Sequence, residues 1–149
     1  MKKEINWLKY LVIGFFAVGI IAMTLNSFLP GKDDIKDLEL NDNGIALPSF
    51  SKEVMVGKQL FDMNCVACHG RNATGTEQGP PLIHKIYNPG HHSDRAFYLA
   101  VRNGAKQHHW PFGDMPPQPQ VSSEQVSRII RYVRELQEAN GIAYQKHQM

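Results

Sequence analysis

Cys65-Val66-Ala67-Cys68-His69 holds the only two cysteines of the 149-residue chain, three positions apart, with a histidine directly after the second. This order of residues is the pattern of a c-type haem attachment site. Two thiols separated by two residues can each add to a vinyl group of one porphyrin, and His69 is then held on one face with a nitrogen aimed at the iron. The rest of the chain reads as a wrapper for that group. Three other uses of the same residues stay open at this point. A disulfide would consume both cysteines and leave His69 incidental. Half of a zinc site would need a second ligand pair, and a thioredoxin-like redox pair would need a βαβ context. The sequence shows neither a second pair at suitable spacing nor a βαβ pattern.

A chain of 149 residues bounds one small domain with appendages. Its formal net charge of +2 is too mild for the electrostatic footprint of a nucleic-acid binder. Because the motif claims both cysteines, no disulfide is left to report the redox compartment, so location must be read from the N-terminus. There Lys2, Lys3 and Lys9 precede an apolar run that begins at Tyr10 and continues, less purely, to Leu29. As a helix this run would span roughly 30 Å, a bilayer core. It has no convincing small-x-small cleavage site, and a retained single-pass anchor (or uncleaved signal) over 1–29 is expected, with a cleavable signal peptide as the competitor. The Lys-bearing end is expected on the cytoplasmic side, placing the remainder on the periplasmic or extracytoplasmic side of the cytoplasmic (inner) membrane. Residues 30–50, rich in Asp and Asn without periodicity, read as a polar linker.

The domain of interest spans 51–140, followed by a tail over 141–149 that carries no clear pattern. Ser51 caps a predicted helix to Asn64, with Val54, Gly57, Phe61 and Cys65 on one face. A glycine inside a helix costs about 1 kcal/mol against alanine, so Gly57 calls for a reason such as the close approach of another helix. Ser93 and Asp94 open a second helix, with Phe97, Ala100 and Val101 at core spacing and Gly104 as terminator. Ser122 and Gln125 form a capping box, followed by an apolar stripe of Val126, Ile129, Ile130, Val133 and Leu136. Arg131 and Glu135, and Arg134 and Glu138, sit four apart on the side expected to be exposed. His84, His91 and His92 read as surface-loop histidines.

Gly57-Lys58-Gln59-Leu60-Phe61 leading into Cys65–His69 resembles the class I cytochrome c family, over about residues 51 to 138. The resemblance implies an all-α cytochrome c fold of three to four short helices wrapped around one covalently bound haem c, here preceded by one transmembrane helix. It implies that the first helix crosses the last at Gly57, with Tyr132 as partner. Gly79-Pro80-Pro81-Leu82 is similar to the family's loop on the histidine side of the haem, which makes the Pro80 carbonyl the acceptor for His69. A metal-bound imidazole usually donates its other N–H in this way. Met115, in Gly113-Asp114-Met115-Pro116, looks like the family's distal methionine, with His108 or His109 as rival ligands. Trp110 reads as haem environment, through a propionate hydrogen bond or as cover for the haem edge.

An iron ligated by His69 and Met115 has no open position for substrate. The expected function is therefore a membrane-tethered monohaem electron carrier, not an enzyme, working between donor and acceptor redox proteins and not with nucleic acid. The alternatives are a haem subunit of an enzyme or a gas or redox sensor with a displaceable sixth ligand, and a haem-free zinc or thiol-redox module.

Overall fold

Ser51 does cap a helix, accepting a hydrogen bond from the Val54 N–H at 3.4 Å, and α1 runs Lys52–Asn64. The computed structural model describes residues 14–15, 39–40 and 44–146. The chain divides into two units, 1–37 and 38–149. Of the first, Gly14 and Phe15 are described, and both are helical. The anchor expected over 1–29 otherwise lies outside the described residues, among which no helix is long and apolar enough to cross a membrane.

The second unit is mostly helical. After α1 come the short helix α2 (Val66–His69), 3-10 turns at Arg71–Ala73 and Lys85–Tyr87, α3 (Asp94–Asn103) and α4 (Ser123–Ala139). Two strands, β1 (Glu39–Leu40) and β2 (Ala46–Leu47), pair antiparallel with Glu39 opposite Leu47. The capping box at α4 is complete: the Gln125 N–H donates to Ser122 Oγ and the Ser122 N–H donates to Gln125 Oε1 at 2.9 Å.

The core lies where α1 crosses α4. Gly57 is buried at the crossing, and a Cβ there would stand 2.1 Å from the Arg128 carbonyl oxygen and 3.2 Å from Tyr132 Cβ. No side chain fits that gap, which is the reason for the glycine. The Tyr132 ring, fully buried, packs on Phe61 with centroids 5.5 Å apart and edge-on to Phe50 at 5.3 Å. Val54, Ile129, Val133 and Leu136 complete the centre of this core.

Three local readings need correction. Residues 44–50 are not a solvated linker: Ile45, Leu47 and Phe50 pack against the core, Ala46 is buried, and Asn140 holds the Ala46 N–H and C=O together, each at 2.9 Å. A short apolar run, Ile45 to Leu47 with Phe50, suffices because a side-chain amide satisfies the backbone. The tail packs on the domain: Ile142 is buried, and the Gln145 N–H donates to Asn88 Oδ1. Arg134, expected to pair with Glu138 at the surface, turns inward to Asp94 at 2.9 Å and to the carbonyls of Tyr87 and His92. It lies over the Phe97 ring, 4.9 Å from the centroid. Beside it the fully buried Gln137 donates to the carbonyls of Leu82 at 2.8 Å and Tyr87 at 3.1 Å, tying α4 to the loop before α3.

Candidate haem site

The end of α1 feeds straight into the motif. The Cys65 N–H donates to the Phe61 carbonyl, closing α1, while the Cys68 and His69 N–H groups return to the Cys65 carbonyl as α2 begins. Loop 70–82 then folds tightly back on α2. The Gly75 N–H donates to the His69 carbonyl, Thr76 Oγ1 donates to the Cys68 carbonyl, and a Cβ at Gly79 would meet that carbonyl oxygen at 2.8 Å. The turn requires left-handed backbone at Asn72 and Ala73, φ 55° and 57°. Both are buried, and the Ala73 carbonyl accepts the Leu82 N–H at 2.8 Å. The outcome of this wrapping is one contact: His69 Nδ1–H donates to the Pro80 carbonyl at 2.9 Å. The imidazole is thereby fixed as one tautomer, with Nε2 carrying its lone pair. Burial pushes its pKa below the usual histidine value, which keeps it neutral.

Met115 is positioned from the other side of the sequence. Ala105 and Met115 exchange both backbone hydrogen bonds, at 3.0 and 2.9 Å, so the intervening loop closes as a hairpin. Asp114 accepts from Lys106 Nζ and from the Gln107 N–H at 3.0 Å, bracing the neighbouring residue. The Gln118 N–H, bonded to the Val101 carbonyl, ties the far end of the loop to α3.

Cys65, Cys68, His69, Pro80, Trp110 and Met115 all line one cavity of about 390 Å³. Its walls are otherwise mainly apolar, with Phe61, Leu82, Phe97, Val101 and Ile129 among them. None of the α3 side chains is fully buried, because the face carrying Phe97, Ala100 and Val101 forms the cavity wall. Met55 and Met63, at 40% and 70% exposure, do not line it.

The residues present fit a covalently attached haem. Both thiols are free rather than joined as a disulfide. The Trp110 Nε1–H in the wall is buried without a hydrogen bond of normal geometry, although it lies close enough to the Tyr87 hydroxyl to favour its ionised form. A polar edge of a bound group would satisfy it. The thiol-redox alternative fares worse. Burial, with the Cys68 charge adding to it, pushes Cys65 up to about 11, the reverse of a reactive thiolate. Among the described residues the one group of three possible metal ligands is His91, His92 and His109, which leaves the cysteines out.

That histidine group is the feature the sequence reading missed. His91 and His92, expected as surface-loop histidines, lie beside His108 and His109 where the loops meet. The signal was the pair of His-His dipeptides in the two loops flanking α3.

The cytochrome c family model matches residues 54–137, more than half of the chain. Among curated proteins, the cytochrome bc1 complex cytochrome c subunits of Mycobacterium bovis and Mycobacterium tuberculosis are 50% identical over 40 residues. That stretch is 26% of this chain and 14% of theirs, so the similarity spans a small part of those relatives. No solved structure matches. With the attachment motif, the α1–α4 crossing at Gly57 and the family match covering the same residues, the chain belongs to the cytochrome c family.

Proposed function

We propose that this protein is a membrane-tethered, monohaem c-type cytochrome that passes single electrons between larger respiratory or oxidative redox proteins. The observation that carries the reading is that one cavity gathers Cys65, Cys68, a His69 locked to the Pro80 carbonyl, and a Met115 held by the Ala105 bridge. When bound, haem c supplies one-electron chemistry by cycling its iron between ferric and ferrous. The chain's own groups do the rest. Cys65 and Cys68 would anchor the ring through thioether bonds, His69 Nε2 and Met115 Sδ would ligate the iron, and the apolar walls would exclude water. The bridge and the Gln118–Val101 contact hold the chain on either side of Met115, which would keep its thioether in place as a ligand. A firmly held sixth ligand favours transfer over substrate binding, and a methionine raises the potential relative to a second histidine.

The description of the mycobacterial relatives as subunits of cytochrome bc1 complexes supports a respiratory partner. The apolar run Tyr10–Leu29 supports a single-pass anchor in the cytoplasmic membrane, with the haem domain on the extracytoplasmic side. Tethering keeps the carrier at high effective concentration near membrane-bound partners.

Two spectra test the ligand set. The ferric protein is expected to show the weak red-end band of methionine-ligated haem, and Met115→Ala to abolish it. The ferrous wild type is expected to resist carbon monoxide. Rapid carbon monoxide binding by the wild type would instead favour a sensor or enzyme subunit with a displaceable ligand, and persistence of the band in Met115→Ala would place the ligand elsewhere.

A further inference from the structure

Four of the histidines other than His69 cluster where the loops before and after α3 meet, and one pair of their rings faces with two acceptor nitrogens. His92 Nδ1 lies 2.8 Å from the Ile86 carbonyl oxygen and His108 Nδ1 lies 2.6 Å from the Lys106 carbonyl oxygen. Both Nδ1 atoms must therefore carry the proton, which leaves two Nε2 lone pairs facing each other at 3.5 Å. The second pair, His91 Nε2 and His109 Nε2, is 3.2 Å apart. One candidate ligand nitrogen from each of His91, His92 and His109 falls within 4.8 Å of the others.

We propose that His91, His92 and His109 bind a late first-row divalent cation, Zn(II) or Cu(II), at a site separate from the haem iron, with His108, outside that group of three but 3.5 Å from His92 Nε2, turning in as fourth ligand. The distances carry this. Two imidazole nitrogens on one Zn(II), each about 2.0–2.1 Å from the ion at a tetrahedral angle, stand roughly 3.3–3.4 Å apart. The observed pairs at 3.2 and 3.5 Å bracket that value. The wider 4.8 Å span needs to close by about 1.5 Å, a movement that side chains on two loops can share.

The surroundings match as well. A ligating histidine almost always gives its other ring N–H to a backbone carbonyl or carboxylate, and His92 and His108 already do so. Borderline-soft ions such as Zn(II) and Cu(II) favour all-imidazole sets, whereas Mg(II) and Ca(II) require oxygen. The nearby carboxylate of Asp114 is engaged by Lys106 and by the Gln107 N–H, so it does not compete for the ion.

His92, His108 and His109 also line the haem cavity. A dication on them would stand beside the wall of the redox centre and disfavour the more positive, ferric state. Its loading is thus expected to raise the reduction potential, an effect that rests on the haem reading, whereas binding itself does not.

The test uses purified holoprotein freed of metal by a chelator and titrated with Zn(II). One ion per chain is expected, with a Kd below about 1 µM at neutral pH. His91→Gln/His109→Gln is expected to weaken binding at least tenfold and His108→Ala to weaken it less, both with an unchanged far-ultraviolet circular dichroism spectrum that reports intact folding. A potential that rises with Zn(II) in the wild type and not in the double variant would support the coupling. A Kd weaker than about 100 µM, or equal binding by the wild type and the double variant, would overturn the site. So would haem spectra showing His108 or His109 as the ligand of the iron itself. Tight binding without a potential shift would keep the site and reject its coupling to the haem.

Discussion

Trp110 shows how one atom can report on a missing partner. A buried N–H without an acceptor costs about 1–3 kcal/mol, so the Nε1 in the cavity wall is expected to meet a carboxylate edge of the bound ring. Trp110→Phe removes the donor and keeps the apolar cover. It is expected to leave the methionine band intact and to lower the reduction potential, because negative charge near the iron loses its hydrogen bond. A redox titration decides between this and an unchanged potential, which would make the indole cover alone. At this scale the residues that share the cavity were legible where a motif or rigid flanking residues mark them. Cys65, Cys68 and His69 sit in one motif, and Met115 stands between Asp114 and Pro116. The histidine group was not legible, since its members meet only after loops 16 to 18 residues apart close on each other. The left-handed Ala73 carried no signal either, because the turn around α2, and not the residue's own preference, sets its φ of 57°.

Among the elements, the crossing of α1 and α4 is the most demanding contact. Gly57→Ala would drive a methyl to within 2.1 Å of the Arg128 carbonyl oxygen, and the helices would have to separate. A loss of about 1–3 kcal/mol in denaturant unfolding is expected, with haem still attached. Gln137→Ala would leave the Leu82 carbonyl without its buried donor and the Tyr87 carbonyl with Arg134 alone, for a loss of about 1–3 kcal/mol in the same assay. Helices α1, α3 and α4 were readable because serine starts and apolar spacing are local properties. Arg134 was misjudged for the complementary reason. Spacing within one helix predicts a partner on that helix, and it is blind to Asp94 arriving from the start of α3.

For the whole molecule, residues that precede and follow the helical core help to close it. A chain starting at residue 38 keeps the β1–β2 pair and serves as the reference. One starting at residue 51 would lose Phe50 against Tyr132 and the Asn140 clasp on Ala46, and is expected to be less stable by about 2–4 kcal/mol. Burial raises the pKa of both Tyr87 and Tyr132, with Asp62 adding to the effect at Tyr132. The folded state thus holds these protons more tightly than the unfolded chain, where the value is 10.0. Their contribution is fully present below that pH and is lost as pH rises through the folded values. Unfolding midpoints are expected to fall above about pH 10, and less so in Tyr132→Phe. Segment 44–50 and the tail escaped the sequence reading because each is held by a few side-chain-to-backbone hydrogen bonds and one or two buried apolar groups. Such contacts leave no periodicity to read. The claim beneath all of this is that Cys65 and Cys68 carry one macrocycle. Intact mass measurement of the protein made with a haem-attachment system, beside Cys65→Ala/Cys68→Ala, tests it most directly. One covalent haem on the wild type and none on the double variant is the expected result; a wild-type mass equal to that of the bare polypeptide would contradict it.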